Sequence, residues 1–262
     1  MGVYLPIKNL NQRSINRSAN LVNKIEPPKS ISNPSTSSCS LKNYLNFVYD
    51  QGSLGSCTAN AFCAAYRIMC NVNNINKGFI PSRLYFYYHE RLLEGTVLTD
   101  SGADVIDGTR YTEAYGICSE TDWPYNISKF AVRPPAICDI NAKKYRITSY
   151  NTIKIDNNLI NNIKYYITKN QPVLIALLVY SSFESQLVAK TGLVPIPDTK
   201  KEKCLGGHEL CLIGYDDTKK LFTVLNSWSA NWGDRGLCYI PYNYISDPHL
   251  GLEFTIFSVV KN

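Results

Sequence analysis

The chain has 262 residues, 45% of them apolar, 18% charged and 12% aromatic, and a formal net charge of +6. That balance suits one large domain, or two that share a core, and excludes a disordered or collagen-like chain. Lys and Arg form no run longer than two, so the mild positive excess reads as a solvated face and not a nucleic-acid stripe, and no stretch approaches the ~18 apolar residues of a membrane span.

Residues 1–40 are polar and rich in Asn, Ser and Pro. They lack the apolar core of a secretory signal, and Pro6 stands where a myristoylation motif wants Ser or Thr. Residues 27–38 read as an irregular, partly extended connector. A buried helix is predicted over 57–70, after a turn marked by Gly52 and Gly55 and before Asn71 and Asn73. A second helix is predicted over 81–95, with Pro81 near its first turn and Gly95 past its last. A third covers 109–117. After Trp123–Tyr125 the texture changes: 146–155 alternates as a strand does, while 157–170 carries Leu159, Ile160, Ile163, Tyr166 and Ile167 at helical spacing. Strand-like runs follow over 172–180, 208–217 and 220–228, and residues 236–245 and 251–260 are again rich in β-branched and aromatic side chains. Helices before about residue 145 and strands after it predict an α+β chain. Its expected parts are an N-terminal extension (1–40), a helical subdomain (41–145) and a β-rich subdomain (146–262), with a cleft between the two halves.

The sharpest local feature is DQGSLGSCTANA, Asp50 to Ala61, in which a Gly-rich turn delivers Cys57 to the start of a buried helix. A helix N-terminus carries roughly half a positive charge and unpaired N–H groups, both of which favour a thiolate. Cys63 and Cys70, further along the helix, read as buried structural thiols. A nucleophilic thiolate wants an imidazole partner, and the chain has three histidines. His89 lies in a Tyr-rich helix and His249 in an Asp-Pro turn, whereas His208 follows Gly206–Gly207 and opens an apolar strand. Asn226, at the close of the neighbouring run, offers an amide oxygen to orient that ring, and Trp228 offers an indole to cover the contact.

These segments resemble the papain family of cysteine peptidases from about Asp50 to Asn262. Gln51 with Gly55-Ser56-Cys57 is similar to that family's oxyanion glutamine and nucleophile elements, GHELCLIGY (207–215) to its histidine strand, and LNSWSANWGDRG (225–236) to its asparagine and tryptophan segment. The WPY turn and the closing GLEFTIFSVVKN are similar too. The resemblance implies a two-subdomain fold, a helical half and an antiparallel β-barrel half with the active-site cleft between them. It implies Cys57 as nucleophile, His208 as its proton partner, Asn226 as the residue that orients His208, and Trp228 as its cover. Gln51 and the Cys57 N–H would hold the oxyanion. SGADVIDG (101–108) looks like the family's glycine-rich substrate wall, with Gly102–Ala103 where two glycines are usual; Gly206 is a further wall residue and Thr255 faces the pocket for the second residue before the cut. The implied activity is peptide-bond hydrolysis through an acyl-thioester, as an endopeptidase. No metal or organic cofactor is expected, and the expected partners are peptide or protein substrates, with no nucleic acid and no membrane.

The pattern also departs from the family's. Leu54 stands where many relatives have a cysteine, the expected partner near Asp100–Gly102 is missing, Leu250 occupies another cysteine position, and Thr58 replaces an aromatic residue. The usual bridges are therefore absent, with Cys39, Cys118, Cys138 and Cys204 available for unfamiliar ones. A reducing intracellular compartment is the simplest expectation, with packaging in a viral particle or lysosome-like delivery as alternatives. The short N-terminal extension is expected either to lie over the cleft as a restraint or to form a surface arm. Two other readings compete: a silent papain-like binding protein, which would usually have lost its nucleophile or histidine, and a cysteine acyltransferase, which would usually orient its histidine with a carboxylate.

Overall fold

The computed structural model describes residues 36–259. Residues 1–35 of the N-terminal extension (1–40), on which its expected role as a restraint over the cleft or a surface arm falls, lie outside that range. The helical half is built on α1 (Cys57–Asn73), whose residues from Cys57 to Ala65 are all buried. Four small alanines let its neighbours approach on every side. The helix runs three residues beyond the predicted end, because Asn74 in the left-handed region (φ 54°) is the residue that stops it; the Asn74 N–H returns to the carbonyls of Cys70 and Asn71. α2 (Arg83–Glu94) starts at Ser82, whose hydroxyl accepts from the Tyr85 N–H, and ends at Gly95 (φ 73°), as its flanking residues predict. α3 (Val105–Tyr115) begins four residues before the predicted Thr109, capped by Asp104, whose carboxylate accepts from the Ile106 N–H. Gly108 lies inside it for a packing reason: a Cβ there would come within 2.3 Å of the Phe86 ring and 2.9 Å of Glu90 Oε2. α4 (Ala136–Ala142) is a short helix that the sequence pattern does not announce.

The strands form one antiparallel sheet. β1 (Ser38–Ser40), β2 (Ile147–Thr152), β3 (Val173–Tyr180), β4 (Cys204–Asp216), β5 (Leu221–Leu225), β6 (Leu237–Pro241) and β7 (Gly251–Val259) follow the order β2-β7-β3-β4-β5-β6, with β1 also on β4. β1 arises from the end of the expected connector, where Ser38 and Ser40 pair with Asp216 and Gly214. α5 (Leu159–Thr168) is the predicted helix, and α6 (Gln186–Thr191) is a short addition. Residues 236–245, read as β-rich, divide into β6 and α7 (Tyr242–Ser246). The two halves meet through apolar side chains. The Phe62 ring of α1 stacks between Phe86 of α2, at 4.2 Å, and Phe257 of β7, at 4.5 Å. All nine cysteines are free thiols.

Candidate active site

Three ties shape the turn before α1. The Gly52 N–H donates to Asp50 Oδ1 at 2.9 Å, with Gly52 in the left-handed region (φ 61°). The Gly55 N–H donates to both carboxylate oxygens of Asp100, at 3.1 and 3.0 Å, and the Tyr87 hydroxyl donates to the same carboxylate. Tyr125 Oη donates to the Gln51 carbonyl at 2.9 Å and accepts from the Ser56 hydroxyl at 2.5 Å. Cys57 is thereby delivered as the first residue of α1, fully buried. Its thiol lies against the backbone of Glu209, the residue after His208. Burial pushes the thiol up to about 12, and the Glu209 N–H opposes that by favouring the thiolate.

His208 is buried on β4, two residues after Gly206 and on the same face of the strand. Its Nε2 lies 2.8 Å from Asn226 Oδ1. The Ser227 N–H also donates to Asn226 Oδ1, at 2.8 Å, so the amide must present its oxygen, not its nitrogen, to the imidazole. Nε2 therefore carries hydrogen, and in the neutral ring Nδ1 is the nitrogen able to accept a proton. Burial lowers this imidazole to about 4, against the opposing hydrogen bond it donates to Asn226 and the field of Glu184. Trp228 stacks on the ring with centroids 5.0 Å apart, and Phe183 and Trp232 pack edge-on and face-on around the indole and each other. Of the other histidines, His89 is buried on α2 against the Tyr111 ring and the Tyr85 carbonyl, and His249 is exposed in its turn.

Gln51 is fully buried, and both ends of its side chain are held. Nε2 donates to the Leu54 carbonyl at 3.0 Å and Oε1 accepts from the Ser227 hydroxyl at 2.7 Å. The Leu54 contact uses one of the two Nε2 hydrogens, so the amide is locked with a second N–H to offer. The Gln51 N–H also donates to the Ser227 carbonyl, at 2.9 Å, which ties the turn before α1 to the loop after β5.

The other expected residues fall differently. Gly102 (φ 65°) is buried, its N–H donating to Tyr87 Oη at 3.2 Å and its carbonyl accepting from the Ser101 hydroxyl. Ala103 is buried beside it. Thr255 is fully buried on β7 and donates to Glu253 Oε1 at 3.1 Å. Four side chains around these residues escaped the sequence reading: Ser227, Asp100, Glu209 and Glu90, the last accepting a hydrogen bond from the Thr58 hydroxyl. Only Glu209 had a signal of its own, as a charged residue inside an apolar run.

A model of the papain family of cysteine proteases matches residues 34–253. The chain belongs to that family. This papain-family protease is 38% identical over 218 residues to a peptidase C1-like protein of Acanthamoeba polyphaga mimivirus, a match covering 81% of this chain and 70% of the relative. It is 30% identical over 138 residues to cysteine proteinase 2 of Entamoeba histolytica, across 52% of this chain but only 39% of the relative. Among solved structures, Xylellain, a cysteine protease from Xylella fastidiosa, is 31% identical with a TM-score of 0.84, covering 99% of this chain and 97% of that one. Digestive procathepsin L 3 of Tenebrio molitor, 18% identical at a TM-score of 0.67 over 92% of this chain and 75% of that one, shares the fold. The α+β, papain-like architecture and the protease class are thus shown, and with them peptide or protein substrates. No helix among the described residues is long and apolar enough to cross a membrane.

Proposed function

We propose that this protease cuts peptide bonds with Cys57 as nucleophile, His208 as proton acceptor and donor, and Asn226 as the residue that orients the imidazole. The observation that carries this reading is the His208–Asn226 contact, with the amide pinned by the Ser227 N–H so that Nε2 is the protonated nitrogen. The electrostatics add a condition. Burial holds the thiol up, to about 12, and the imidazole down, to about 4, so neither group ionises alone near neutral pH. A proton that passes from Sγ to Nδ1 leaves the pair with no net charge and with its opposite charges in attraction. The N-terminus of α1 and the Glu209 N–H favour the thiolate, and the Asn226 oxygen favours the imidazolium.

The thiolate attacks the scissile carbonyl, and the carbonyl oxygen takes the electron pair of the broken π bond. The Cys57 N–H and the second Nε2–H of Gln51 meet that oxyanion. The imidazolium gives its proton to the departing amine and leaves an acyl-thioester on Cys57. His208 then takes a proton from water, the hydroxide adds to the acyl carbon, and the C–S bond breaks, so that the acid leaves and the Cys57 thiolate stands again beside the His208 imidazolium. The reading takes the enzyme as an endopeptidase, with the turn Asp50–Ser56 and α1 on one side of the cleft, in residues 41–145, and His208 and Asn226 on the other, in 146–262. The free thiols support a reducing, intracellular setting.

The test is digestion of a mixed peptide library by the reduced protein beside Cys57→Ala and Cys57→Ser, with cuts mapped by mass spectrometry. Internal cuts made by the unsubstituted protein alone are expected. Equal cleavage by all three would remove Cys57 from the mechanism, and cuts confined to chain ends would make the enzyme an exopeptidase.

A further inference from the structure

Among the described residues, two carboxyl side chains on the sheet beside the thiol have no counter-charge. Glu209 of β4 and Glu253 of β7 both stand opposite Ala176 of β3, so the three side chains share one face in a single row across the sheet. With strands ~4.8 Å apart, the two glutamate Cα atoms are about 10 Å apart. The methyl group of Ala176 is the only side chain the row puts between them. Asp104, which follows the Gly102–Ala103 segment and caps α3, acts electrostatically on both glutamates, and Glu209 acts on Cys57. The row therefore adjoins the nucleophile.

Glu209 is only 4% exposed, and among the described residues no hydrogen bond reaches its carboxyl. Glu253 is met, among the described residues, by the Thr255 hydroxyl alone. No basic group among the described residues acts on either. The arginines of α1, α2 and α3 are already engaged: Arg91 donates to the carbonyls of Tyr87, Val97, Thr99 and Phe130, Arg110 pairs with Asp107, Arg83 pairs with Glu120, and Arg67 stacks on Phe47. Burial, with repulsion from neighbouring carboxylates, raises both glutamates, Glu253 to about 8. A buried carboxyl without a partner is costly, and a cation bearing several N–H donors would relieve both the desolvation and the repulsion. Among the described residues no three acidic, His or Cys side chains are grouped as a metal ion requires.

We infer that Glu209 and Glu253, with Asp104 at the edge, form a pocket that receives an arginine or lysine side chain of the peptide substrate close to the scissile bond. The inference rests on the peptidase reading above and adds the class of peptide this site selects. A lysine ammonium or an arginine guanidinium between the two glutamates would accept their charge and pull both carboxyls back toward the ionised form.

The test compares peptides that differ only by arginine or citrulline, its uncharged isostere, at each position flanking the cut. At one position the reduced protein is expected to favour arginine by about tenfold or more in kcat/KM, the scale of one charge-assisted hydrogen bond. In Glu209→Gln, Glu253→Gln and the double variant that ratio should fall toward one. Equal handling of arginine and citrulline at every position by the unsubstituted protein overturns the pocket without recourse to any variant, and so does a ratio unchanged in the double variant. Binding of the same peptides to Cys57→Ala separates this inference from the one beneath it. Tighter binding of arginine peptides that the reduced protein never cuts keeps the pocket and sinks the hydrolase reading. Cleavage without arginine preference does the reverse, and neither binding nor cleavage removes both.

Discussion

At the scale of single residues, the proposed site is built of side chains whose orientation is set by a neighbour. Asn226 presents its oxygen to His208 because the Ser227 N–H needs the same atom. Gln51 has its amide fixed between the Leu54 carbonyl and the Ser227 hydroxyl. If Gln51 donates to the oxyanion, Gln51→Ala should lower kcat by about 10²–10³-fold with little change in KM, measured on any cleaved peptide. Ser227→Ala should cost less, because the Leu54 contact still holds the Gln51 nitrogen. A second expectation concerns pH. Iodoacetamide reacts with thiolate, and in the unsubstituted protein Cys57 should be alkylated in mildly acidic solution, where its proton resides on His208. In His208→Ala that acceptor is gone, and the burial that raises the thiol outweighs the Glu209 N–H that lowers it. Alkylation of Cys57 should then become slow at neutral pH and recover only in strong alkali. Identical pH profiles for the two proteins would show that His208 does not take the thiol proton.

Among elements, the loop before α1 is held to the loop before α3 without a disulfide. The family resemblance expects a bridge near Leu54 and Asp100–Gly102, and the chain has the Asp100 carboxylate there instead, on the Gly55 N–H and the Tyr87 hydroxyl. This tie is half-buried, with Asp100 itself open to solvent while Gly55 and Tyr87 are covered, which keeps its worth near about 1 kcal/mol. Asp100→Ala should accordingly lower Tm by about 2–4 °C, and Asp100→Asn by less, because the amide oxygen still accepts. Since all nine cysteines are free, dithiothreitol should leave Tm where it was. Gly108 shows a second way of joining elements. It lets α3 approach α2 so closely that a methyl group would strike Phe86 and Glu90. Gly108→Ala should destabilise the fold by about 1–3 kcal/mol despite the better helix propensity of alanine, as read by denaturant unfolding.

Across the whole molecule, the helical half and the sheet meet along α1 and β4, with the thiol on one, the imidazole on the other, and the Phe62 stack closing the core behind them. The amino-acid sequence alone determined that the long helices lie mostly before residue 145 and the long strands after it. It also determined that Cys57 starts a helix and that Gly95 ends one, because periodicity and capping act within a turn or two of chain. Motif order likewise singled out Gln51, His208 and Asn226. The short helices α4, α6 and α7 were not legible, since fewer than two turns carry too little periodicity to separate helix from loop or strand. The start of α3 was hidden by Gly108, whose reason is a neighbour on another helix. Tertiary structure alone decided that Ser227 would orient two separate amides, that Asp100 would stand where a bridge is usual, and that two glutamates would face each other across Ala176. Each of these contacts joins residues distant along the chain, and which of them meet depends on strand register and helix packing, quantities that no local pattern encodes.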